Sequence, residues 1–180
     1  MRTPGRVLVL SLAVSLVALS ALVGPALSAT AGTETPLLSQ IQEQRSGTWK
    51  WQRLMRAPLT PSRRLAEQTA SDSFRRWVLR YWTEEERAAH WRATHPRRLA
   101  AWLCIHRHEG PWTARTGNGY YGGLQMDLQF QRTYGADLMR HKGTANRWTP
   151  LEQIWVAERA YRSGRGFYPW PNTARSCGLL

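Results

Sequence analysis

Between Glu86 and Asp127 the chain carries a single acidic residue, Glu109. It closes a helical pattern set by Leu99, Trp102, Leu103 and His106, and Gly110-Pro111 follows as a stop signal. A carboxyl group that donates a proton near neutral pH must be held uncharged, and burial in an apolar pocket does this. Glu109 continues the Trp102, Ile105/His106 face, so it should leave the helix toward the core side. The negative end of the helix dipole also disfavours its ionisation, and Trp112 can roof the pocket. His106, Arg107 and His108 oppose this, but helical geometry turns Arg107 and His108 away. Glu109 is therefore the candidate general acid; the bland alternative is a C-terminal helix residue paired with an arginine.

The other acids in this half have structural explanations. Asp127 caps a short helix that ends before Gly135, and Glu152 belongs to the capping box Thr149-Pro150-Leu151-Glu152. Glu158 reads as a packed or paired helix residue. His106-x-x-Glu109 offers two metal ligands on one helix face but no third, so neither a metal nor a cofactor is expected. The glycines of Thr116-Gly-Asn-Gly-Tyr-Tyr-Gly-Gly123 lack the GK[ST] ending of a phosphate-binding loop, and no GxSxG is present.

The elements that must position Glu109 follow from the same pattern. Four glycines in eight residues exclude a helix over 116–123 and suit a small hairpin or irregular β excursion. A helix from Pro150 through Leu151, Ile154, Trp155, Glu158 and Tyr161 should stop at Gly164 or Gly166, and Phe167–Pro171 reads as extended. Upstream, residues 32–96 form an Arg-rich helical arm with a break bracketed by Pro58 and Pro61. Phe74, Trp77, Val78, Tyr81 and Trp82 recur at helical intervals, which predicts a helical pair packed on the main domain by this stripe. Thr83-Glu-Glu-Glu86 predicts a fresh helix start. The fold class is thus mainly α, with one short hairpin.

The chain has 180 residues, 42% of them hydrophobic, and 10 Trp, enough for a core and against a wholly disordered chain. Residues 1–31 read as a secretory signal: Arg2 and Arg6, an apolar run from Val7 to Val23, Pro25, then small residues offering cleavage after Ser28 or Ala31. A retained membrane anchor is the alternative. Net charge is +13, with Lys50 and Lys142 the only lysines, so the surface suits polyanions such as anionic wall polymers met through the basic arm. In an oxidising compartment Cys104 and Cys177 would form one disulfide.

Taken together, Cys104, Glu109, Trp112, the string Thr116-Gly-Asn-Gly-Tyr-Tyr-Gly-Gly-Leu-Gln125, Glu152-Gln153 with Val156-Ala-Glu-Arg159, Trp170-Pro171 and Cys177 form a recognisable order. It resembles the transglycosylase-like domain of the resuscitation-promoting factors, secreted actinobacterial proteins with a lysozyme-like fold, over residues 97–177. The resemblance implies an α-rich lysozyme-like domain over 97–180 that cleaves the β-1,4 bond between MurNAc and GlcNAc in peptidoglycan, with Glu109 as the one catalytic acid. It implies that Thr116, Asn118, Tyr120, Tyr121 and Gln125 line the glycan cleft, and that Cys104 and Cys177 join the first helix of the domain to the tail. Trp112, Trp148 and Trp170, with the two tyrosines, are further candidates to stack on sugar rings. The family's usual order puts Cys directly before the Glu and Trp five residues after it. Here four residues separate Cys104 from Glu109, and Trp112 is three beyond. Hydrolysis and 1,6-anhydro product formation both stay open. The alternatives are a non-catalytic peptidoglycan-binding module and a basic polyanion- or membrane-binding protein. A monomer is expected, and nucleic acid is not an expected partner.

Overall fold

The computed structural model describes residues 36–180; the signal-like segment 1–31 lies outside them. The chain is mainly helical with one two-stranded hairpin. The arm comprises α1 (Pro36–Met55), α2 (Arg64–Thr69) and α3 (Asp72–Thr94). The remainder runs α4 (Leu99–Glu109), β1 (Tyr120–Tyr121), β2 (Met126–Asp127), α5 (Leu128–Tyr134), α6 (Ala136–Lys142), α7 (Pro150–Ala160) and α8 (Pro171–Ser176). No helix of the described residues is long and apolar enough to cross a membrane.

α7 is the central strut. Every residue from Gln153 to Glu158 is buried, so this helix is enclosed on all sides. Its start is the expected capping box: the Glu152 backbone N–H donates to Thr149 Oγ1 and the Thr149 N–H donates to Glu152 Oε2 at 2.8 Å. Its end is a turn through Gly164 at φ 95°, a left-handed conformation that suits glycine. Against α7 stand Trp102 and Ile105 of α4, Met126 and Phe130 around the hairpin and α5, and Phe167, Trp170 and Ala174 of the tail. Trp102 is fully buried and meets Trp170 and Phe167 edge to face at 5.2 and 5.0 Å. Its indole N–H donates to Glu158 Oε1, while Arg98 donates to Glu158 Oε2, both at 2.9 Å. Both oxygens of this buried carboxylate are thereby satisfied.

Three local expectations are corrected. Thr83 does not start a helix: α3 runs through it from its cap at Ser71, so the preceding turn already supplies carbonyl partners. The Thr83 hydroxyl instead donates back to the Leu79 carbonyl at 2.8 Å, and Glu86 accepts from Trp51 Nε1. The aromatic stripe of α3 divides. Val78 and Trp82 are buried against Ile41 of α1, whereas Phe74, Trp77 and Tyr81 stay exposed. The arm meets the rest of the fold elsewhere, through Met55, Ala93 and Trp155, with Trp155 Nε1 donating to the Ala93 carbonyl. Finally, the Tyr168-Pro-Trp-Pro171 stretch is a turn that starts α8, because Pro171 sits at its first position with φ already suited to a helix.

The disulfide joins Cys104 on α4 to Cys177 at the C-terminal end of α8, across 73 residues. Closing a loop of that length removes unfolded-chain entropy worth about 4 kcal/mol. Paired Cys104→Ser and Cys177→Ser substitution should lower stability by roughly that amount; calorimetric melting with and without the substitutions measures it. A change below about 1 kcal/mol would show that α8 is held by its packing alone.

Candidate functional site

α4 ends where the Gly110 N–H closes onto the His106 carbonyl, and Gly110 takes φ 136°, a conformation that favours glycine. The turn leaves Glu109 half-buried at the rim of the helix end. α8 folds across this end, anchored by the disulfide and by Trp170, whose indole N–H donates to the Leu124 carbonyl at 2.6 Å. Thr173 on α8 then donates its hydroxyl to Glu109 Oε1 at 2.8 Å.

The carboxylate faces a cleft of about 280 Å³. Its walls are Glu109, Asn118, Tyr120 and Gln125 on one side and Pro169 to Thr173 on the other. Trp170, almost wholly buried, forms the floor, and Tyr120 stands exposed at the rim. The hairpin is pinned for this purpose. Asn118 Oδ1 accepts from the Tyr120 N–H at 3.0 Å, β1 pairs antiparallel with β2, and Gln125, at φ 44°, donates its side-chain amide to the Gly122 carbonyl. Among the described residues, Glu109 is the one carboxylate lining this cleft. Asp127 caps α5 by accepting from the Phe130 N–H, and Glu152 pairs with Lys142 at 2.6 Å.

The structure brings together Glu109, Asn118, Tyr120, Gln125 and Trp170 and leaves the other candidates outside. Trp112 does not roof Glu109: it stacks on His106 at 3.8 Å between ring centroids, beneath the hairpin. His106 Nδ1 also contacts the Gly123 carbonyl at 3.1 Å. Gly123 is required there, since a Cβ would come within 2.5 Å of His106 and 2.7 Å of Trp112. Tyr121 is half-buried against the core, Thr116 is exposed away from the cleft lining, and Trp148 is buried with its N–H on the Gly143 carbonyl. The expected apolar pocket around Glu109 is replaced by a polar cleft, because α8 delivers Asn172 and Thr173 there. Neither residue carried a signal in the sequence apart from Pro171, whose position opens the helix that presents them. The ligand atoms of Cys104, His108 and Cys177 lie within 4.8 Å of one another, but both sulfurs are committed to the disulfide.

The arrangement is a lone carboxyl beside an open, aromatic-floored groove edged by amide and hydroxyl groups. It can grip a polar, ring-containing chain and exchange one proton with it.

Residues 100–173 match the transglycosylase-like domain family. The chain is 40% identical over 70 residues to resuscitation-promoting factor Rpf1 of Corynebacterium glutamicum, covering 39% of this chain and 35% of that protein. It is 41% identical over 66 residues to resuscitation-promoting factor RpfE of Mycobacterium tuberculosis, covering 37% of this chain and 35% of that protein. Against Rpf2 of Corynebacterium glutamicum it is 34% identical over 70 residues, covering 39% of this chain and 18% of that protein. The matched segment spans about a third of the length of the first two relatives. Residues 100–173 thus carry a transglycosylase-like domain, similar in sequence to a segment of the resuscitation-promoting factors.

Proposed function

We propose that this chain is an exported, wall-associated enzyme that cleaves the β-1,4 bond between MurNAc and GlcNAc in peptidoglycan glycan strands. The observation that carries the proposal is the position of Glu109: half-buried, held by Thr173, and alone among carboxylates in a cleft floored by Trp170. A glycan strand in the groove lays a sugar ring on the exposed Tyr120 and hydrogen-bonds Asn118 and Gln125, while the buried Trp170 supports the cleft from beneath. Protonated Glu109 gives its proton to the bridging oxygen as that bond breaks and the sugar gains oxocarbenium character. The carboxylate so formed takes a proton back, from water in hydrolysis or from the sugar's C6 hydroxyl in the lytic route, which yields a 1,6-anhydro product.

Mass spectrometry of material released from purified peptidoglycan tests the activity and separates the two products. One further reading has an observation in its favour. The spacing of Cys104 and Glu109 departs from the family order, which favours a module that grips glycan without cutting it. Co-sedimentation with insoluble peptidoglycan and no soluble fragments would select that reading.

Thr173 acts through Glu109 as a positioning residue. Thr173→Val should lower kcat about tenfold with KM little changed, because without the Thr173 hydroxyl the Glu109 carboxyl is free to rotate away from the bond it must protonate. Thr173→Ser should restore most of the rate. A parallel loss in both variants, or a change confined to KM, would remove Thr173 from this role.

A further inference from the structure

A second and larger cleft, about 630 Å³, lies between the arm and α6–α7, and no residue that lines it also lines the Glu109 groove. Lys50, Arg53 and Arg56 stand along the end of α1 at intervals of three residues, and Arg159 of α7 closes the inner wall. The row extends about 9 Å along the helix axis. Trp51 and Leu59 supply apolar floor between the cations. The two acids at the margin are already engaged: Asp137 with Arg140, and Glu152 with Lys142. None of the four cations takes part in an ion pair among the described residues.

Two features show that this charge is concentrated at a cost to the fold. Arg159 gives its terminal nitrogens to the Leu54 and Tyr134 carbonyls, stapling arm to domain, yet its buried Nε has no partner. Burial, then repulsion from Arg56 and Arg162, lowers its pKa to about 10. Arg56 sits at φ 51°, just past α1, where its N–H bonds the Arg53 carbonyl and the next N–H bonds the Gln52 carbonyl. This is the helix-end motif whose left-handed position normally carries glycine. An arginine there breaks the local rule while adding a fourth positive charge to a site already rich in them.

We infer that this cleft is a binding site for a linear phosphodiester polyanion of the polyol-phosphate type, running along Lys50, Arg53 and Arg56 toward Arg159. A row of cations a few ångströms apart matches a chain that carries one phosphate per short repeat, and Trp51 and Leu59 meet its carbon segments. A single inorganic phosphate satisfies only part of the row, and a flat bilayer does not enter a recess between helices. The site does not depend on Glu109, because such a polymer has no glycosidic bond to cut; it gives the wall-associated reading a second point of attachment.

The test is fluorescence anisotropy with an end-labelled poly(glycerol phosphate) oligomer at 50–200 mM salt, using the full chain. Arg159 is left in place because it holds backbone. Arg53→Gln combined with Arg56→Gly should weaken binding by about tenfold or more and reduce the salt slope by about two. The same variant should melt no lower than wild type, since glycine relieves the φ of Arg56; this separates lost binding from lost folding. Arg76→Gln with Arg80→Gln removes equal charge from exposed positions outside the cleft and should change binding less than about twofold. The inference fails if the two double variants weaken binding equally, if the wild type does not bind the oligomer at 50 mM salt, or if phosphatidylglycerol vesicles bind in its place and respond to the cleft variant.

Discussion

Glu109→Gln should abolish release of soluble muropeptides from purified peptidoglycan, with a fall in rate of at least about 100-fold, the usual contribution of a positioned acid. The amide is nearly the same shape, and its oxygen still accepts the Thr173 hydroxyl, so the cleft and the melting temperature should be preserved. Only the transferable proton is lost. No other carboxylate of the described residues lines the groove to take over the task. Co-sedimentation with insoluble peptidoglycan should stay within about twofold of wild type, because grip is assigned to Asn118, Tyr120 and Gln125. Glu109→Asp should be nearly as damaging, since withdrawing the carboxyl by one methylene moves it off both Thr173 and the bridging oxygen. Undiminished release by Glu109→Gln would exclude it as the acid. Binding without release by the wild type itself would select the non-catalytic module.

Features that depend on a few neighbouring residues were legible in the sequence. The capping box at Thr149, the cap at Asp127 and the stop at Gly110 stand where their residue types place them, because each is settled within one turn of chain. The hairpin was legible for the same reason, through its glycines and paired tyrosines. Thr173 touches Glu109 from 64 residues away, delivered by a disulfide and a six-residue helix, and no periodicity reports such a contact. Trp112 lies close to Glu109 in sequence, yet it turns beneath the hairpin to stack on His106. A nearby aromatic and a conformationally free glycine do not fix direction; the partner ring does. The α3 stripe makes a related point: helical spacing identifies a shared face, but which part of that face is covered depends on where α1 lies.

Gln153→Leu should be among the most destabilising single changes in the chain, by about 4 kcal/mol, lowering the melting temperature by roughly 10–15 °C. Gln153 is fully buried on α7 and its side-chain amide serves four backbone groups from three loops. Its oxygen accepts the Gly123 N–H at 2.8 Å, and its nitrogen donates toward the carbonyls of Trp112, Ala145 and Trp148 at 2.8, 2.9 and 3.0 Å. Leucine fills nearly the same volume, so the cost comes from stranded polar groups in a dry core and not from a cavity. Gly122 is adapted to the same side chain: a Cβ there would lie 2.4 Å from the Gln153 oxygen. The amide therefore sets where the 122–125 turn sits, and that turn carries Gln125 and follows Tyr120 at the groove. Activity of the surviving folded fraction should drop as well, seen as a raised KM at temperatures well below melting. Gln153→Glu, which keeps the acceptor for Gly123 but turns a charged oxygen on three carbonyls, should be worse than leucine. Urea unfolding of the three proteins measures the order; a cost for Gln153→Leu below about 1 kcal/mol would mean that water or loop rearrangement satisfies these groups, and that the hairpin is placed by packing on Trp112 and His106 instead.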